Sequence, residues 1–324
     1  MNAKTHISSL SILIMICLLA GCVEPDRAKR QYVVGIASPT PYLNNVVEGF
    51  KDAMGGFERE DGVEIIYIYN GPIAEEDKMR AVIQDMVDRR VDMVLTLGLP
   101  PTLIAKELTA RDQIPVVFAP VYNPVGSGVV SEVGIHKCNM TGIQIGSSSP
   151  KALQLLLEIK PSTKRILIPY DLKASASKQN VIDLRVVAGD LGVELVLVEV
   201  SSRKELAAAF EGMGPDIDAI WLLNSFFLVN NIDLYSKASL MRKIPVASGT
   251  SQVEEGVLVS YGQNLFNTGR SAARLARRIL LGTKPRDLPI ETAEYFLGIN
   301  LKVAGQIGLD IPDYILQQAD LVVK

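Results

Sequence analysis

Residues 92–121 (DMVLTLGLPPTLIAKELTARDQIPVVFAPV) decide the fold. Two nearly continuous apolar runs, 92–97 and 114–121, flank a helical pattern over 102–111. Runs this apolar fit strands whose two faces are both covered by helices, the arrangement of a parallel sheet. Upstream, 32–36 (YVVGI) and 63–69 (VEIIYIY) read as strands. Between them 41–54 reads as a helix, with Pro41 at its start, where a missing N–H costs nothing. Over 74–90, Met79, Val82, Ile83, Met86 and Val87 share the spacing of one helix face. A strand at 140–145 ends this first series.

A second series repeats the rhythm. Helices over 150–159, 179–191, 204–213 and 232–241 alternate with strands over 165–169, 193–200, 218–223 and 244–247. Two successive βα series of similar size predict an α/β protein of two doubly wound parallel-sheet lobes joined by a hinge. The end is different: a strand at 257–261, a long helix over 268–281, a strand at 294–300, and short helices near 302–307 and 312–319. Arg270, Arg274, Arg277 and Arg278 interleave with Leu275 and Ile279 on the long helix, a solvated face beside a buried stripe.

The N-terminal stretch addresses location. Lys4 precedes an apolar run over 10–19 (LSILIMICLL), which ends in Leu19-Ala20-Gly21-Cys22. The run falls short of the ~20 residues that span a bilayer. It predicts a secretory signal over residues 1–22. Its exit resembles a bacterial lipobox, in which Cys22 takes the lipid that anchors the mature chain to a membrane, in the periplasm or at the cell surface. Residues 23–31, charged and holding Pro25, read as a tether.

Composition narrows the function classes. With 324 residues, 48% hydrophobic and 21% charged, the chain is globular and long enough for two medium lobes. A net charge of -3 points to no nucleic-acid partner. Cys17 leaves with the signal and Cys22 is the lipid site, so no intrachain disulfide is expected, and Cys138 reads as an apolar filler. His6 and His136 are the two histidines, which leaves a His-based metal site or catalytic triad almost without material. The sequence has no G-x-S-x-G elbow and no P-loop, and the pairs Glu75-Glu76 and Glu254-Glu255 read as solvated surface. Neither enzyme chemistry, nor a cofactor, nor a metal is expected.

Three segments, in order, carry a resemblance. Residues 114–142 hold IPVVFAPVYNPVGSGVV and then the start of NMTGI; 256–282 hold GVLVSYG and TGRSAARLARRILLG, with KPRDLPIE following; 299–320 read INLKVAGQIGLDIPDYILQQAD. Together they resemble the ABC-transporter substrate-binding proteins of the tryptophan/tyrosine type, over nearly the whole mature chain. The resemblance implies the type I periplasmic-binding-protein fold, two lobes joined by three crossovers that close on a ligand. It implies lobe 1 over 32–146 and 265–292, and lobe 2 over 147–264 and 293–324. It also implies a lipid-anchored monomer that captures a small solute and passes it to a membrane ABC permease. A ligand-sensing receptor that presents its ligand state to a membrane signalling protein is the alternative, because both use the same clamp.

In open α/β sheets ligands sit beyond the carboxyl ends of the strands, and two facing lobes make a cleft there. The strand ends offer Ser38, Thr40 and Tyr42, then Leu99 and Pro100, then Ala119 and Tyr122 in the first lobe. The second lobe offers Tyr170 and Asp171, then Asn224, Ser225 and Phe226, then Ser248 and Thr250. Hydroxyls and amides among them fix polar groups, and Tyr42, Tyr122, Tyr170 and Phe226 wall a flat or apolar moiety. The helix that starts near Pro41 offers free N–H groups to an anion such as a carboxylate. Relatives often read T-G-T-P-A-A where this chain has Leu97-Gly98-Leu99-Pro100-Pro101-Thr102, so a hydroxyl gives way to Leu99. They often carry an Asp where Asn224 stands, which removes a charge-assisted bond worth ~1.5–3 kcal/mol to a ligand ammonium. The expected ligand is therefore amino-acid-like, aromatic or apolar, and more apolar or carrying an uncharged amine, rather than an ordinary zwitterionic aromatic amino acid.

Overall fold

The computed structural model describes residues 29–134, 138–171 and 175–324. The predicted signal, Cys22, most of the tether and His136 lie outside the described residues. Among the described residues no helix is long and apolar enough to cross a membrane.

In lobe 1, strands β1 (Arg30–Ala37), β2 (Val63–Ile68), β3 (Met93–Thr96), β4 (Val116–Tyr122) and β5 (Met140–Ile145) form a parallel sheet with the short β11 (Glu291–Thr292). Their order is β11-β5-β4-β3-β1-β2. In lobe 2, β6 (Arg165–Tyr170), β7 (Glu194–Glu199), β8 (Ala219–Leu222), β9 (Val246–Ser248), β10 (Val259–Gln263), β12 (Tyr295–Asn300) and β13 (Leu321–Val323) form the second sheet. Its order is β13-β12-β10-β9-β8-β6-β7, and the β10–β12 pair is antiparallel, with Tyr261 opposite Leu297. The central strands are buried throughout, β3 and β8 at every residue, because helices cover both faces. β1 begins at Arg30, and Arg30 and Gln31 pair with Val63 and Glu64, so the last two residues assigned to the tether belong to the sheet.

Helices α1 (Asn44–Asp61), α2 (Glu76–Asp88) and α3 (Leu99–Thr109) flank the first sheet. Around the second lie α4 (Ser149–Ile159), α5 (Ser175–Asp190), α6 (Arg203–Glu211), α7 (Phe226–Val229), α8 (Ile232–Arg242), and later α10 (Leu301–Ile307) and α11 (Asp313–Leu316). Between them α9 (Leu265–Leu280) returns to the first lobe. Within the described residues the chain passes between the sheets three times, at 145–149, 263–265 and 292–295.

The return of α9 is tightly built. It lies on α1 so closely that a Cβ at Gly49 would fall on the Phe266 carbonyl oxygen, and one at Gly269 on that of Val46. Ala272, Ala273, Leu275, Ala276 and Ile279 face the core. Its arginines pair with acids of α1: Arg270 with Asp52 at 2.5 Å, Arg277 with Glu60 at 2.7 Å and with Asp61 at 2.5 Å. The NMTGI segment has an equally local cause. Asn139 is buried and its amide donates to the Thr109 hydroxyl at 2.8 Å and the Ile114 carbonyl at 2.5 Å, which ties the start of β5 to the end of α3 and the approach to β4.

Candidate functional site

The carboxyl ends of the two parallel sheets face each other across a cavity of about 360 Å³. A volume of ~300–1,000 Å³ is ordinary for a small-molecule site. Lobe 1 supplies Thr40, Tyr42 and Leu43 after β1, Gly98, Leu99 and Pro100 after β3, Pro120 and Tyr122 from β4, Ser127, and Ile145 from β5. Lobe 2 supplies Gln179 and Asn180 from α5, Asn224 after β8, and Gly249 and Thr250 after β9. Gly146, Ser148, Gln263 and Tyr295 line it at the crossovers. None of these side chains carries a charge, and among the described residues no group of His, Cys, Asp and Glu is placed to hold a metal ion.

Of the residues singled out in the sequence, Thr40, Tyr42, Leu99, Pro100, Tyr122, Asn224 and Thr250 line this cavity. The other seven do not. Ala119 is fully buried, because neighbours on a strand point to opposite faces and Pro120 takes the cleft side. Ser38 is buried and donates to the Thr40 carbonyl. Ser248 is buried and bonded to the Leu222 carbonyl and the Thr250 hydroxyl. Tyr170 packs on the core of lobe 2. The Asp171 carboxylate accepts from the Ser225 hydroxyl at 3.1 Å, and both residues are buried. Phe226 opens the short α7, is exposed to solvent and does not line the cavity.

The helix start near Pro41 is corrected in the same way. It opens as a 3₁₀ turn over Pro41–Leu43 before α1 begins. Its donors are engaged: the Tyr42 N–H meets the Thr40 hydroxyl oxygen at 3.3 Å and the Leu43 N–H the Thr40 carbonyl at 3.2 Å. No free N–H is left there for an anion. The start of α3 also faces the cavity. Gly98 caps it at φ 78°, a left-handed conformation that a Cβ disfavours. Pro100 and Pro101 then remove two of the donors that a helix N-terminus ordinarily presents.

Among the lining residues that sequence reasoning missed are Gln179, Asn180, Gln263 and Tyr295. The Asn180 amide oxygen accepts from the Asn224 N–H at 3.3 Å, which leaves its NH₂ for the cavity. The Tyr295 hydroxyl accepts from the Gly146 N–H at 2.8 Å and donates to the Gly146 carbonyl at 3.0 Å, so it clamps a crossover. Gln179 donates to the Asp183 carboxylate at 3.0 Å, and the Tyr122 hydroxyl donates to its other oxygen at 3.1 Å. That second bond joins lobe 1 to lobe 2. Burial first, and the Asp183 charge next, push the Tyr122 phenol up to about 12. Burial and the Glu255 carboxylate likewise raise Tyr42 to about 12, against the pull of its hydrogen bond with Gln252. Beside the cavity, and sharing Tyr42 and Gln263 with it, lies a hollow of about 320 Å³ that carries Glu254 and Glu255.

Comparison with known proteins places this geometry. Residues 33–323 match a family model described as ABC transporter substrate binding protein. The chain is 24% identical over 293 residues to a tyrosine-binding protein of Clostridioides difficile (strain R20291), a match spanning 86% of this chain and 84% of that one. Among solved structures it is similar to an ABC domain in complex with L-Trp from Streptococcus pneumonia, with a TM-score of 0.76, 22% identity, and coverage of 91% and 100% of the two chains. It is also similar to the ligand-free, open form of a substrate-binding protein with adhesive properties from Clostridium difficile, with a TM-score of 0.73, 22% identity, and coverage of 91% and 99%. These likenesses carry the two-lobed fold of type I periplasmic binding proteins.

Proposed function

Because the chain belongs to the family of ABC transporter substrate-binding proteins, we propose that it is the extracytoplasmic receptor of an importer, held to a membrane through lipid on Cys22. It captures a small aromatic or apolar, amino-acid-like solute in the inter-lobe cleft and delivers it to a permease. A protein of this kind captures and releases its ligand unchanged, and it is not an enzyme.

The observation that carries this reading is the lining of the cavity. Tyr42, Tyr122 and Tyr295 with Leu43, Leu99, Pro100, Pro120 and Ile145 surround the volume between the strand ends with rings and apolar groups. Amides and hydroxyls are the polar partners, a pattern suited to orienting an apolar body with a few hydrogen bonds. Hinge closure of two lobes around a ligand is a known motion of this architecture. The tyrosine and tryptophan named for two of the similar proteins support an aromatic ligand class, while Leu99 and Asn224 favour one that departs from the plain zwitterion.

Mass spectrometry of the compound retained after native purification tests the reading, followed by calorimetric titration of that compound. An aromatic or apolar small molecule is expected. If no compound of a broad metabolite set raises the melting temperature, the receptor reading fails. If tryptophan or tyrosine binds tightly, the expected departure from the zwitterion fails.

A further inference from the structure

We propose that Tyr122, Gln179 and Asp183 make this cleft selective for aromatic amines that lack a carboxylate. The inference rests on the reading of the cleft as a site for aromatic solutes, and it adds the charge that the solute carries. Asp183 stands one layer behind the cavity wall and holds two lining residues in one polarity. Its oxygens accept from the Gln179 amide nitrogen at 3.0 Å and the Tyr122 hydroxyl at 3.1 Å. The Gln179 amide oxygen is thereby left as an acceptor toward the ligand, and the Tyr122 oxygen, which also has a hydrogen bond with Gln179, keeps a second lone pair. Among the described residues no Lys or Arg pairs with Asp183. A carboxylate that no described Lys or Arg pairs, standing behind two lining residues, attracts an N–H donor that bears positive charge. The counter-charge missing at Asn224 is supplied instead from α5.

The rest of the cavity offers a carboxylate little. Four backbone donors at its rim already have partners within the protein: Tyr42 on the Thr40 hydroxyl, Asn224 on Asn180, Thr250 on the Ser248 hydroxyl, and Gly146 on the Tyr295 hydroxyl. The start of α3 is depleted by Pro100 and Pro101. Among the described residues no cationic side chain lines the volume. A carboxylate would have to be held by neutral amides and hydroxyls, next to a cluster that repels it. Tyrosine faces, by contrast, are favourable neighbours for an ammonium.

Isothermal titration of the full chain with tryptamine, tryptophol and L-tryptophan tests this. The three share the indole and differ in bearing an ammonium, a hydroxyl or a zwitterion. Tryptamine is expected to bind about tenfold tighter than either of the others, the step between a charge-assisted and a neutral hydrogen bond. Asp183→Asn is expected to bring the tryptamine-to-tryptophol ratio toward one, whereas Glu211→Gln, at the exposed end of α6, keeps the preference. L-tryptophan binding as tightly as tryptamine overturns the inference, as does an Asp183→Asn variant that weakens both ligands by one factor, or a preference lost in Glu211→Gln. If Asp183→Asn does not fold, the ranking on the unmodified chain decides alone. Binding of the probes without the ranking defeats this inference only; no binding by any of them defeats the aromatic-site reading as well.

Discussion

Tyr122, at the end of a lobe 1 strand, donates its hydroxyl to Asp183 on a lobe 2 helix across 3.1 Å. A bond of this kind exists only while the lobes face each other at this distance. It favours the closed arrangement before any ligand adds its own contacts, and it lowers the cost of ordering that binding otherwise meets.

Tyr122→Phe removes the cross-cleft bond and keeps the ring. Loss of one hydrogen bond to a charged partner, about 1.5 kcal/mol at the low end of the charge-assisted range, is expected to raise the open population of the free protein roughly tenfold. Small-angle scattering of the ligand-free protein checks this through a larger radius of gyration. An unchanged profile counts against the latch.

Leu99→Thr restores a hydroxyl at a helix start where Pro100 and Pro101 leave few donors. The variant is expected to improve the affinity for L-tryptophan relative to tryptamine by about threefold to tenfold, the worth of one hydrogen bond. Titration of both compounds on both proteins reads the change directly.

Alkaline stability depends on Tyr42. Its folded pKa of about 12 lies above the ordinary 10.0, so the native state holds this proton more tightly than the unfolded chain does. The sign follows: the contribution is complete below about pH 10 and is lost as pH rises to about 12. Tyr122 moves in the same direction. In Tyr42→Phe the fall of the melting temperature across this window should be shallower than in the unmodified protein. Equal slopes would remove the buried phenol from the account.

Gly269→Ala sets a methyl group against the Val46 carbonyl of a neighbouring helix, a backbone atom that has nowhere to go. The overpacking should cost about 1–3 kcal/mol, or several degrees of melting temperature in a protein of this size. Gly305→Ala, where a Cβ meets nothing and the residue lies within α10, is the control and should leave the transition in place or raise it slightly.

The elements were legible because their signals are local. Strands such as β8 (AIWL) are apolar throughout, and α2 shows its buried face in Met79, Ile83, Met86 and Val87. Residues at strand ends were found for the same reason, hence Tyr42, Leu99, Tyr122 and Asn224. What failed was finer than a strand end. The alternation that turns Ala119 inward and Pro120 to the cleft needs the strand's facing, which a run buried on both sides conceals. Phe226 reads as a loop tip, whereas it is the first residue of a short helix and is exposed. Tyr295 and Gln263 enter the site through the antiparallel β10–β12 pairing, where they stand opposite one another. That pairing joins segments with no local signal of their meeting. Gln179 and Asn180 were read as the start of a helix, whereas α5 begins at Ser175 and carries them to the cavity in its second turn.

The helix that completes the first lobe comes late in the chain: 218 positions separate Arg270 from its partner Asp52. During synthesis the face of α1 that will bury Gly49 and Phe50 stays bare until most of the polypeptide has been made. A product cut short at residue 146 would have five strands and no cover for that flank. The lobes therefore cannot mature one after the other as independent beads. Each waits for the C-terminal quarter, and the nascent chain remains threadable until its last strands are available.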